Sequence, residues 1–148
     1  MNEQNETLSR LRSLIGDYLE TVAELEANRR PTDGLFGLKP GPSDDPCHDR
    51  FAERMDALLR DFAAQEPSSA QAAAVLRELY AAAPANRGAK SAYWMLMAVQ
   101  GAGLPLIARL SPADAAELHA FFEKSYPRRE RFPVQKQTLQ LLKKQSKM

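Results

Sequence analysis

The chain has 148 residues, with 10 Pro, 7 Gly, one Cys and two His, 44% hydrophobic and 26% charged residues and a formal net charge of +1, all within the range of ordinary globular proteins. One Cys cannot close an intrachain disulfide, and the polar start Met1-Asn2-Glu3-Gln4-Asn5-Glu6 lacks the regions of a signal peptide. The longest unbroken apolar run, Ala92 to Val99, falls short of the roughly 18 residues of a membrane span, so a cytoplasmic protein without a membrane segment is expected.

Leu8, Leu11, Ile15, Tyr18, Val22 and Leu25 recur at alternating spacings of three and four, with Leu14 and Leu19 widening the stripe. This predicts an amphipathic helix over about residues 3–29. The spacing is also that of a short heptad seam, so either a shared bundle core or self-association would use it. A second helix is predicted from the Ser43-Asp44-Asp45-Pro46 start, with Phe51, Met55, Leu58, Leu59 and Phe62 on its buried face. Ser68 with Gln71 three residues on forms a capping box for a third, alanine-rich helix carrying Val75, Leu76, Leu79 and Tyr80.

After Pro84, the run 92–99 is apolar on nearly every side and is expected to be the central helix, broken or kinked by Gly101, Gly103 and Pro105. Ser111-Pro112-Ala113-Asp114 opens the next helix, with Leu118, Phe121 and Phe122 inward, and Pro127 ends it. Pro133 starts the last, with Val134, Thr138, Leu139, Leu141 and Leu142 inward. No segment alternates apolar and polar residues as a strand does. The fold class is therefore all-α: a single-domain bundle of about six helices over 1–148, with an αα-superhelical, repeat-like stack as the alternative arrangement.

The usual catalytic signatures H-E-x-x-H, G-x-G-x-x-G, the phosphate-binding P-loop and paired C-x-x-C are absent. Glu117 and His119 stand two apart and so point to different sides of a helix. No catalytic residue, metal or cofactor is therefore assigned, and an enzyme is not the expected reading. Cys47-His48 suits a thiolate by its place in a first helical turn, but Asp44, Asp45 and Asp49 oppose another anion there. A packed structural pair is expected.

Three places attract a functional reading. The segment 31–46 holds four prolines and three glycines, yet also Leu35, Phe36 and Leu38, which fit an irregular loop covering a core edge or docking a partner. Arg87, Lys90 and Ser91 stand at the start of the apolar run, where free N–H groups favour a phosphate or carboxylate. Residues 125–148 carry seven cations and one acid, 7 − 1 = +6, against 13 − 18 = −5 over residues 1–124. Arg128, Arg129, Arg131, Lys143 and Lys144, the last two on a basic C-terminal helix over 133–148, are the candidates for nucleic-acid contact.

The leading functional expectation is a small interaction or regulatory module that binds another protein or its own copy through the first helix and the 31–46 loop. Nucleic-acid or phosphate-ligand binding through the basic tail and the 86–91 turn is the alternative. The third reading is a pocket framed by Cys47, His48, Arg87, Lys90, Tyr93 and Trp94. It requires these groups to converge.

Overall fold

A computed structural model describes residues 3–28, 45–89 and 91–148. The elements are α1 (Glu3–Ala27), α2 (Cys47–Ala64), α3 (Ser69–Ala85), α4 (Ser91–Ala98) running into a long 3₁₀ segment (Val99–Arg109), α5 (Pro112–Ser125), a short 3₁₀ turn (Arg128–Glu130) and α6 (Pro133–Ser146). No strand occurs among the described residues, and the protein is an all-α bundle. Leu35, Phe36 and Leu38 lie outside the described residues, as does Lys90.

The helix starts follow the sequence chemistry. The backbone N–H of Cys47 donates to Asp45 Oδ1 at 2.9 Å. Ser68 Oγ accepts from the Gln71 N–H while Gln71 Oε1 accepts from the Ser68 N–H, at 3.2 and 2.9 Å. Ser111 Oγ accepts from the Asp114 N–H at 3.1 Å. Each bond satisfies a donor that the first helical turn leaves without a partner. Between α2 and α3, Glu66 takes φ 52°, the left-handed conformation that ends helices and favours glycine.

The stripe on α1 is spent inside the molecule. Leu11, Ile15, Tyr18 and Val22 are buried and α1 packs on α2 and α3. The centre of the bundle is shared by the 92–99 run, which packs on α1, α2, α3, α6 and the long 3₁₀ segment, and by α3. Helix α3 touches α1, α4, α5 and the long 3₁₀ segment, and its buried face carries Ala72, Val75, Leu76, Leu79, Tyr80, Ala82 and Ala83. The packing of α1 on α3 on α5, and of α2 on the 3₁₀ segment on α6, is that of successive helix pairs meeting their neighbours, so the bundle takes the αα-stacked arrangement. Gly103 allows the close approach on one side of α3: a Cβ there would lie 2.8 Å from Leu79 Cδ2 and 3.0 Å from Leu76 Cδ2.

The 92–99 run is not surrounded. Ala92, Tyr93, Leu96 and Met97 are buried, whereas Trp94 and Ala98 face solvent. The stretch Ser91–Arg109 is long and apolar enough to cross a membrane, by length and composition alone, and half of it is buried inside the bundle. The expected break at Gly101, Gly103 and Pro105 takes the form of 3₁₀ geometry, which carries the helical path through all three residues.

A buried polar relay ties the C-terminal half to this centre. Pro84 lies in the last turn of α3 and has no N–H to give to the carbonyl of Tyr80, four residues back. The Tyr126 hydroxyl donates to that carbonyl instead, at 2.5 Å. Gln100 Nε2 donates to the Tyr126 oxygen at 2.6 Å, and Gln135 Nε2 to Gln100 Oε1 at 3.0 Å. Gln135 also donates to the Met97 carbonyl at 3.0 Å, near the change from α to 3₁₀ at residue 99. Gln100 and Gln135 are fully buried, and such groups are tolerated because their hydrogen bonds are made.

Candidate functional site

Arg87, expected to bind an anion, is instead a clamp between elements. Its Nε donates to Glu130 Oε1 at 3.0 Å and a terminal nitrogen donates to the Ser125 carbonyl at 2.7 Å. The Tyr93 hydroxyl donates to the same Glu130 oxygen at 2.5 Å. Burial opposes charge on Glu130, but hydrogen bonds from Tyr93 and Arg87 outweigh it and hold the carboxyl below its usual range. Burial, then the Glu130 hydrogen bond, pushes the Tyr93 hydroxyl up to about 12. An anion at the start of α4 would have to compete with Glu130 for Arg87. The Ser91 hydroxyl there is buried without a partner among the described residues.

Arg131 performs a matching task, donating to the Tyr126 carbonyl at 2.7 Å and to the Glu123 carbonyl at 3.2 Å. Two arginines thus complete the C-terminal end of α5, where unpaired carbonyls and the helix dipole favour cations. This removes Arg131 from the free cations of the tail. Arg128 and Arg129 stay exposed on the short 3₁₀ turn, and Lys143 and Lys144 stand exposed at the far end of α6, about 15 Å along the helix from its start at Pro133 at 1.5 Å per residue. The basic tail is therefore two cationic ends. The exposed face between them carries Lys136, Gln140, Lys143 and Lys147, whose spacing of four, three and four places them in one row.

Beside the Arg87 clamp two aromatic side chains are left in solvent. Trp94 is 57% exposed and Phe132 42% exposed, and their rings meet edge to face at 5.4 Å. Tyr93 meets Trp94 in the same way at 5.3 Å. The pair is held from behind: Tyr93 is tied to Glu130, and the Phe132 N–H donates to Gln135 Oε1 at 3.3 Å. Sequence periodicity placed Trp94 within a run apolar all round, and nothing in the one-dimensional pattern distinguishes it from Tyr93. Arg128 and Arg129 precede Phe132 on the adjoining turn.

Cys47 and His48 belong to a different part of the molecule. Both are buried, and the Tyr18 hydroxyl and His48 Nδ1 lie 2.6 Å apart. Tyr18 stacks on Phe51 with centroids 4.0 Å apart. Burial, and then the hydrogen bond with Asp45, pushes the Cys47 thiol up to about 11, opposite to the shift that makes a thiol nucleophilic at neutral pH. A cavity of about 120 Å³ beside it is lined by Leu14, Tyr18, Cys47, Arg50, Phe51 and Arg54. Arg87, Tyr93 and Trp94 do not line it, so the described residues of the third reading are not all gathered around this cavity. A second cleft, of about 230 Å³, opens between α2 and the long 3₁₀ segment, with walls from Leu59, Ala63, Ala102 and Pro105 and a rim from Asp56 and Arg60. Among the described residues no group of three His, Cys, Asp or Glu side chains is placed to hold a metal ion.

Comparison with protein-family models, with curated proteins and with solved structures finds no match. The functional reading therefore rests on the geometry. An exposed Trp and Phe in contact, on a braced backbone and next to exposed arginines, have the residue types that dominate binding energy at protein interfaces.

Proposed function

We propose that the protein is a cytoplasmic, non-enzymatic interaction module that binds a protein partner or its own copy through the Trp94 and Phe132 surface. The observation that carries this reading is the exposure of both rings in mutual contact. Covering the part of each side chain that is still exposed removes roughly 60–140 Å² each from water, roughly 1.5–3.5 kcal/mol each at about 25 cal/mol per Å² before association costs. Arg128 and Arg129 supply flanking charge. The sequence reading placed docking on the first helix and the 31–46 loop. The burial of Leu11, Ile15, Tyr18 and Val22 moves the weight of the proposal to the α4 and α6 surface.

A photo-crosslinking residue in place of Phe132 tests this in cells. One discrete protein adduct is expected, lost when Trp94→Ala is added and not formed from a crosslinker at exposed Glu117 on α5. No adduct at position 132, or the same adducts from position 117, overturns the reading.

A second reading, nucleic-acid binding, is favoured by the exposed row of Lys136, Lys143 and Lys147 with Arg128 and Arg129 beyond it. It predicts binding to a dT oligonucleotide that falls steeply with salt, and no binding at low salt removes it. A phosphate-ligand role for the 86–91 turn would require a thermal shift with phosphate that Arg87→Ala abolishes.

A further inference from the structure

The exposed surface of α2 carries the counterpart of the row on α6. Asp49, Glu53 and Asp56 recur at spacings of four and three and so share one face of the helix. Asp49 and Glu53 are exposed and Asp56 is half-buried, with Asp56 paired to Arg60 one turn on. Asp49 and Asp56 are seven residues apart, as are Lys136 and Lys143, so both pairs span about 10 Å along their helices. Where the acidic row ends, the 230 Å³ cleft begins, with Asp56 on its rim and Leu59, Ala63, Ala102 and Pro105 inside. Where the basic row ends, Phe132 and Trp94 project. A cavity of about 150 Å³ already holds a benzene ring, so the cleft has room for an aromatic side chain.

These two surfaces match in order and in charge. Resting on the reading that the Trp94 and Phe132 surface binds protein, we propose that its occupant is a second copy of this chain. Phe132 of one copy seats in the cleft between α2 and the 3₁₀ segment of the other, with Trp94, whose ring meets that of Phe132, against the mouth of the cleft. With α6 antiparallel to the partner copy's α2, Phe132 in the cleft places Lys136 against Asp56 and Lys143 against Asp49. The near-zero net charge, +1, leaves little overall repulsion against such association. The division into −5 over residues 1–124 and +6 over residues 125–148 supplies attraction between unlike ends.

Sedimentation and light scattering of the full chain, from micromolar to millimolar concentration, test the proposal. A mass above one copy that rises with concentration and falls with salt is expected. Trp94→Ala removes the projecting group, and Gly101→Leu fills the cleft from a position where a Cβ meets nothing within 4 Å. Each weakens self-association by roughly tenfold or more, the loss typical of a central interface residue. Mixing the two variants recovers a complex, because an intact cleft in one meets an intact aromatic pair in the other. Lys136→Glu with Lys143→Glu likewise weakens association, and a partner carrying Asp49→Lys with Asp56→Lys restores it. If circular dichroism shows Gly101→Leu to be misfolded, Ala102→Leu serves in its place.

A one-copy mass at every concentration overturns the proposal, as does association that ignores Trp94→Ala and both cleft variants. If the mass is that of one copy while the crosslinker at position 132 still captures a different protein, the surface binds protein but not itself. If a dT oligonucleotide binds the lysine row and the chain stays single, the row serves nucleic acid. Absence of both self-association and adduct removes the parent reading as well.

Discussion

Tyr126→Phe removes one hydroxyl from the centre of the molecule and breaks two hydrogen bonds. The Tyr80 carbonyl loses its 2.5 Å donor, and Gln100 Nε2 loses its 2.6 Å acceptor. Neither group gains water by relaxing slightly, since Tyr80 and Gln100 are buried. A buried polar group left unpaired costs about 1–3 kcal/mol, so the pair sums to roughly 2–5 kcal/mol once partial repacking is allowed. For a domain of this size that corresponds to a melting point lower by roughly 5–15 °C. The cause is Pro84, which cannot supply the N–H that Tyr80 would otherwise receive within α3. Pro84→Ala restores that N–H, so Tyr126→Phe should cost less in the Pro84→Ala background by about 1 kcal/mol or more. Tyr80→Phe is the control: its hydroxyl is buried with no hydrogen-bond partner among the described residues, and its removal should be neutral or stabilising. Urea unfolding of the four proteins of the cycle, and of Tyr80→Phe, measures each term. A Tyr126→Phe loss below about 0.5 kcal/mol, or a loss unchanged by Pro84→Ala, refutes the account of the relay.

Glu130 is held below its ordinary pKa by Tyr93 and Arg87, so its contribution to stability is present above the ordinary glutamate range, near 4.3, and is lost as pH falls through the lower folded value. Glu130→Gln should flatten the acid side of the stability profile while costing about 1–2 kcal/mol at neutral pH, a change that thermal melts between pH 3 and pH 7 will detect or exclude. Cys47, buried and pushed up to about 11, should react with a thiol reagent at pH 8 far more slowly in the folded protein than in urea, and equal rates would contradict its burial. Because the folded thiol is raised, its contribution is present below the free-thiol pKa, near 8.5, and is lost as pH rises towards 11. Glu66→Gly relieves the left-handed backbone at φ 52° and should stabilise by about 1 kcal/mol, measured as a higher urea midpoint, whereas a lower midpoint would show the conformation to be unstrained.

The helices and their starts were legible in the sequence because they depend on neighbours three and four residues away. Ser68 with Gln71, Ser111 before Pro112 and Asp45 before Cys47 each act within one turn. The buried faces of α2 and α5 followed from the same period, although Leu58 and Phe121 are only half-buried. Gln100 and Gln135 were not legible as core residues, since a glutamine reads as polar until its partners from other elements are known. Their partners are 26 to 38 residues away in the chain.

The functional surface divides in the same way. The sequence by itself determined that the chain is helical, that its charge is split between body and tail, and where the helices cap, all of them properties of composition or of single turns. Only the tertiary structure decided that Arg87 and Arg131 complete α5, that the cations of the tail part into two ends, and that Trp94 meets Phe132 in solvent. A run apolar on every side has no preferred face of its own. Which side is left for solvent is settled by the helices that pack against it, and here they cover Tyr93 and leave Trp94 open.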